Sequence, residues 1–211
     1  AFNLMQKQYG FDGISIDLIK NIPPGSGLGG GSSNAASIMK GICELYDLNV
    51  SKKELEHLAV NIGADVPFFI KGSLQLGEGI GEKLRPLKTK IAGKYLIVIP
   101  KIKIDTSWAY SKFKNVLDTS KSSTNFPSLF DTDRINTDKL KLIENDFESI
   151  VIPAYPEIGK IKQKLCAFGA QYASLSGSGS TVFGIFNDNV LLNNAFSYFS
   201  PKYKTFVADP I

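Results

Sequence analysis

The chain has 211 residues, 43% of them hydrophobic and 21% charged, a profile of a soluble globular protein with one large domain or two smaller ones. Its 24 Lys and Arg against 20 Asp and Glu leave a net charge of +4, too small and too dispersed for a nucleic-acid surface but suited to an anionic small molecule. No run approaches the roughly 18 apolar residues of a membrane span and nothing reads as a signal peptide, while Cys43 and Cys166 read as buried thiols of a reducing compartment.

Ala1 to Tyr9 read as a helix already under way, with Phe2, Leu4, Met5 and Tyr9 apolar. Ile14, Ile16 and Leu18 alternate with Ser15 and Asp17, which predicts a half-buried strand. Then comes the most informative segment, Pro23-Pro24-Gly25-Ser26-Gly27-Leu28-Gly29-Gly30-Gly31-Ser32-Ser33-Asn34. Five glycines fall within seven residues, Gly25 to Gly31, and a periodic apolar stretch follows. Ala35, Ile38, Met39, Ile42, Cys43 and Tyr46 recur every three or four residues, one face of a helix that begins near Ser32 to Asn34. Glycines tolerate positive φ and let several N–H groups surround one anion, and the helix adds its unpaired first-turn donors and dipole. A phosphate is the natural guest. The segment satisfies a bare Gly-x-Gly-x-x-Gly pattern, but it lacks the Gly-Lys-Ser/Thr ending of a Walker A loop.

Ser51-Lys52-Lys53-Glu54 forms a capping box, Leu55, Leu58, Ala59 and Ile62 give its helix an apolar stripe, and Gly63 is placed as the residue just past the end. His57, the only histidine, sits on this helix without metal-ligand spacing around it and reads as a surface residue. In Gly63-Ala64-Asp65-Val66-Pro67-Phe68-Phe69, Pro67 biases Val66 toward extended backbone, which puts Asp65 at a helix-to-strand corner. A carboxylate there can serve as a base or cap a backbone N–H. Leu74 and Leu76 suggest a strand, and Gly77 to Glu82 a loop that is either a substrate wall or a connection. Lys83 to Lys94 reads as a domain junction, giving domains 1–92 and 93–211.

Tyr95 to Pro100 predict a buried strand, Thr106 to Phe113 a helix capped by Thr106 or Ser107, and 118–131 an exposed loop. Ile158, Ile161 and Leu165 share a helical face within Pro156 to Cys166. Tyr172 to Leu175 and Val182 to Phe186 read as strands around Ser176-Gly177-Ser178-Gly179-Ser180, a turn whose small residues permit close approach of a second backbone or a ligand. Lys204 to Val207 predict a final edge strand.

Three elements in this order, the glycine-rich segment through Ala36, Gly63 to Phe69, and Leu175 to Ser180, resemble the small-molecule kinase superfamily that includes galactokinase, homoserine kinase and mevalonate kinase. The wording around Asp65, the Gly77 to Glu82 loop and the tetrad Asn145-Asp146-Phe147-Glu148 resemble a branch acting on a cytidyl diphosphate polyol in the non-mevalonate isoprenoid pathway. The resemblance implies a two-domain α+β fold, with an N-terminal domain like ribosomal protein S5 and a C-terminal ferredoxin-like α/β sandwich. It implies that ATP with Mg2+ is bound by Pro23, Gly25, Ser26, Gly27, Leu28, Gly29, Gly30, Gly31, Ser32 and Ser33. It makes Asp65 the catalytic carboxylate and sets Gly177, Ser178 and Gly179 on the substrate side. It also implies an opening strand bearing a catalytic Lys ahead of Ala1, and a cytoplasmic monomer or weak homodimer with no nucleic-acid or membrane partner. Asn34 and Ser178 depart from the superfamily's frequent Asp and Thr, both keeping hydrogen-bonding capacity. The alternatives are another alcohol kinase, acting on homoserine, mevalonate or a sugar, and a non-catalytic nucleotide-binding fragment.

Overall fold

The computed structural model describes residues 1–79, 81–117, 134–135 and 137–210. These form two compact units, one of Ala1–Pro24 with Gly29–Leu87, the other of Gly25–Leu28 with Lys88–Ile211. The exposed loop expected at 118–131 lies outside the described residues.

The first unit holds α1 (Phe2–Tyr9), α2 (Gly30–Leu45), α3 (Lys52–Ala59), α4 (Val66–Lys71) and a hairpin of β1 (Gln75–Glu78) and β2 (Lys83–Pro86). Its core is a cluster of Met5, Ala36, Met39, Ile42, Leu55, Ala59, Val66 and Ile70. The predicted α2 face is therefore the buried one, but the helix begins at Gly30, inside the glycine run and ahead of Ser32. The Ser51 hydroxyl accepts from Glu54 N–H (3.2 Å), as the capping box requires. Gly63 is not the terminating residue, because α3 ends at Ala59 and the turn over Val60 to Ile62 already has right-handed backbone at its first residue.

Two expectations fail in this unit. Ile14 to Leu18 form no strand and pair with none among the described residues, and Ile16 and Leu18 are 43% and 54% exposed. Alternation marks which side chains share a face, but a strand exists only through a partner's ladder. The chain after Asp65 is α4, not a strand, so Asp65 stands at a helix-to-helix corner. Pro67 occupies the first turn of α4, where its missing N–H has no intrahelical partner to lose.

The second unit contains β3 (Lys90–Ile91), β4 (Lys94–Ile99), α5 (Thr106–Leu117), β5 (Arg134–Ile135), α6 (Thr137–Leu140), α7 (Glu148–Ala154), α8 (Pro156–Ala167), β6 (Tyr172–Leu175), β7 (Val182–Phe186), α9 (Asn189–Phe199) and β8 (Lys204–Ala208). β3 and β5 form a short parallel pair. The main sheet has the order β6-β7-β4-β8 and is antiparallel throughout, with Val98 opposite Val182 and Leu175 opposite Val182. Strand, helix, two strands, helix, strand in that order is the ferredoxin-like arrangement expected. Leu96, Val98, Leu175, Val182 and Phe186 of the sheet pack with Ile158, Ile161 and Leu165 of α8 and Leu192, Ala195 and Phe199 of α9. Burying each of the large members stabilises the unit by about 1.5–3 kcal/mol.

α9 was not foreseen, although Leu192, Ala195 and Phe199 have helical spacing and the Asp188 carboxylate accepts from Val190 and Leu191 N–H groups as an N-cap. Asp105, not Thr106 or Ser107, caps α5 by accepting from Trp108 N–H (2.9 Å). Cys43 and Cys166 are free thiols, but Cys166 is exposed: Leu165 faces the core, and its neighbour lies about 100° around the helix.

Candidate active site

The glycine segment is divided between the two units, and its two halves are held differently. Pro23 leads into a turn at Pro24 and Gly25. Gly25, Gly27 and Gly29 all have positive φ, at 70°, 78° and 61°. In the second unit, Ser26 is buried and its carbonyl accepts from Thr181 N–H (3.1 Å), while the Gly27 carbonyl accepts from the Ser176 hydroxyl (2.9 Å). A Cβ on Gly27 would lie 2.1 Å from the Ser176 carbonyl oxygen. The small-residue turn therefore meets the first half of the glycine segment backbone to backbone.

In the first unit, Gly29 is the residue before α2, and its left-handed backbone turns the chain into the helix. A Cβ there would lie 2.6 Å from the Phe69 ring, so only glycine fits. No side chain caps α2 and no acid stands in its first turn. Its leading N–H groups and positive dipole end thus have no anionic side chain of the helix to satisfy them. Gly31 faces open space, with nothing within 4 Å of where its Cβ would be. The Ser33 hydroxyl donates to Gly30 O (3.1 Å), which leaves its lone pairs free to accept. This end of α2 has the donors, the charge and the room that an oligophosphate needs.

Asp65 lies in the same unit at the N-terminal boundary of α4. Its carboxylate is exposed, caps no N–H there and has an oxygen 4.0 Å from the place of a Cβ on Gly81. Gly81, between β1 and β2, is thus a neighbour of Asp65, while Gly77 and Glu78 of the expected loop belong to β1. His57 is exposed, and no group of three His, Cys, Asp or Glu that could hold a metal occurs among the described residues.

The turn at Ser176 to Ser180 connects β6 and β7 as a hairpin. Gly179 N–H donates to Ser176 O (2.9 Å) and the Ser178 hydroxyl lies 3.3 Å from that of Thr106. Gly177 is exposed and Gly179 is buried. Asn145 and Glu148 hold this hairpin. Asn145 Nδ2 donates to Leu175 O (2.9 Å) and Gly177 O (2.8 Å), and Glu148 Oε1 accepts from Leu175 N–H (2.8 Å) and the Ser174 hydroxyl (3.1 Å). Lys162 pairs with the other Glu148 oxygen. The sequence marked the tetrad only as a pattern. The signal for its role was an Asn two residues ahead of an N–H it could accept from, Phe147 (3.0 Å), the outline of an Asx-turn.

Residues 1–73 match the GHMP kinases N terminal domain and residues 131–204 match GHMP kinases C terminal. The chain belongs to the GHMP kinase family. Among relatives of this GHMP kinase, a protein of Chlorobaculum parvum named 4-diphosphocytidyl-2-C-methyl-D-erythritol kinase is 35% identical over 91% of the chain and 68% of its own length. A Pelobacter propionicus protein of the same name is 43% identical over 85% of the chain and 62% of its own length. Of solved structures, a 4-(cytidine 5'-diphospho)-2C-methyl-D-erythritol kinase superposes with a TM-score of 0.73 at 26% identity, covering 90% of this chain and 68% of that one. Homoserine kinase from Cytophaga hutchinsonii, at TM-score 0.68 and 18% identity over 90% of this chain and 68% of its own, shares the fold. The α+β kinase fold implied by the sequence motifs is thus the fold of the family, and the chain is a kinase.

Proposed function

We propose that this GHMP kinase transfers the γ-phosphoryl group of ATP to the 2-hydroxyl of 4-diphosphocytidyl-2-C-methyl-D-erythritol, in the non-mevalonate isoprenoid pathway. Relatives bearing that enzyme's name at 34% to 43% identity support the substrate, and the uncapped start of α2 behind left-handed Gly29 carries the nucleotide. Phosphoryl transfer is mostly positioning and charge neutralisation. Gly25 to Gly31 would surround the phosphates with N–H dipoles, with Pro23 and Leu28 framing the turn. Ser32 and Ser33 would face Mg2+ held by those phosphates, which supplies further neutralisation. Asp65, exposed and without a capping bond, is free to orient the attacking hydroxyl and accept its proton as the oxygen bonds to phosphorus. Gly177, Ser178 and Gly179 would line the substrate side.

The reading carries a cytoplasmic monomer or weak homodimer, with neither nucleic acid nor membrane as a partner. The two free thiols suit a reducing compartment, and no helix among the described residues is long and apolar enough to cross a membrane. The test is a nucleotide-coupled assay of the full chain against the cytidyl polyol, homoserine and mevalonate. We expect kcat/KM for the cytidyl polyol to exceed the others by at least about 100-fold; equal rates would remove the substrate assignment. In calorimetry, Gly29→Val, which sets a branched side chain against Phe69, should weaken ATP binding at least about tenfold.

A further inference from the structure

β6 is an edge strand of the main sheet, and its outward backbone groups need partners other than a strand. Leu175 presents both: its N–H goes to Glu148 and its carbonyl to Asn145. Asn145 reaches two residues further, to the carbonyl of Gly177 inside the turn, so one amide grips the turn at two points. Its oxygen is spent on Phe147 N–H, which fixes which way the amide faces and keeps both donors on the turn. Between those two gripped carbonyls stands Ser176, whose hydroxyl donates to the Gly27 carbonyl.

We propose that Asn145 is a positioning residue for nucleotide binding: it fixes the Ser176 turn, and through the Ser176 hydroxyl the glycine segment at Gly27. This inference rests on the ATP reading above. Holding Gly27 in its left-handed conformation sets the direction in which the Gly27 and Leu28 N–H groups of the proposed phosphate loop point, so a loosened turn costs binding of phosphate and leaves the proposed proton-accepting carboxylate untouched. Asn145→Asp is the sharp probe. It preserves size and the acceptor for Phe147, but it faces two carbonyl oxygens with a carboxylate in place of two donors.

In the full chain, Asn145→Asp should raise KM for ATP about tenfold with kcat within about twofold, and Asn145→Ala should raise it less, since water can serve the exposed Gly177 carbonyl. A residue that merely fills space would give the opposite order. Ser176→Ala should raise KM similarly, and the double variant with Asn145→Asp should be no worse than the single ones, because they break one chain of contacts. Hydrogen exchange on the nucleotide-free chain should quicken at the Thr181 amide, which donates to Ser26 O, in both single variants. If Asn145→Asp does not fold, the order of Asn145→Ala against Ser176→Ala and their double variant carries the same test. Additive effects, unchanged exchange, or equal falls in kcat and kcat/KM overturn the proposal. Calorimetric failure of the unaltered chain to bind ATP overturns the functional reading, and is told apart from a failed clamp by exchange that still quickens in the variants.

Discussion

Asp65 and Glu148 are acids at the starts of two short helices, and they are used in opposite ways. Glu148 is nearly buried and both its oxygens are engaged, one by Leu175 N–H and the Ser174 hydroxyl and the other by Lys162. Asp65 is exposed at the head of α4 and caps nothing there. A carboxylate so engaged holds backbone in place and cannot take on a substrate without letting go. An unsatisfied one at a rigid corner adds nothing to the fold and stays available. Under the proposed function, the comparison predicts chemistry at the second and architecture at the first.

The largest effect that could break it is on turnover. Asp65→Asn keeps shape and removes the proposed base, and should lower kcat by roughly 10²–10⁴. Its stability by urea titration should stay within about 0.5 kcal/mol of the parent. A marked fall in stability with turnover intact would make Asp65 a structural residue. Glu148→Ala should do the reverse, costing about 2–4 kcal/mol by strand-end groups and Lys162 left without their partner, measured as a shift in urea midpoint at constant m. Asp188 sharpens the scale from the low end. It too is a bonded acid at a helix start, but it is an exposed cap of α9, so Asp188→Ala should cost about 1 kcal/mol and leave ATP affinity unchanged.

What could be read in the sequence was whatever a single local rule decides. The helix face from Ala35 to Tyr46, the Ser51 cap and the hairpin around Ser176 to Ser180 each follow from spacing or turn chemistry. Ile14 to Leu18 satisfied a local rule and still formed no strand, because pairing depends on a partner far along the chain. Pro67 is ambiguous locally: the same residue breaks a helix or opens one, and only its position in the first turn of α4 decides. The candidate site was legible as glycines and one acid. Its support was not: Phe69 behind Gly29, and Asn145 and Glu148 on the β6 edge, act across sequence separations that no pattern spans.

The two thiols differ enough to serve as separate chemical handles. Cys166 stands in solvent on α8, while Cys43 is half-buried and its thiol is pushed up by burial and by the nearby Glu44 and Glu54 carboxylates. Alkylation proceeds through the thiolate, so a maleimide dye offered at neutral pH should modify Cys166 first, leaving Cys43 as the slow site. Because these are the only cysteines in the chain, a fluorophore can be placed on the second unit without engineering any residue. Polarisation or energy transfer from that position would then follow nucleotide titrations at concentrations far below those calorimetry requires.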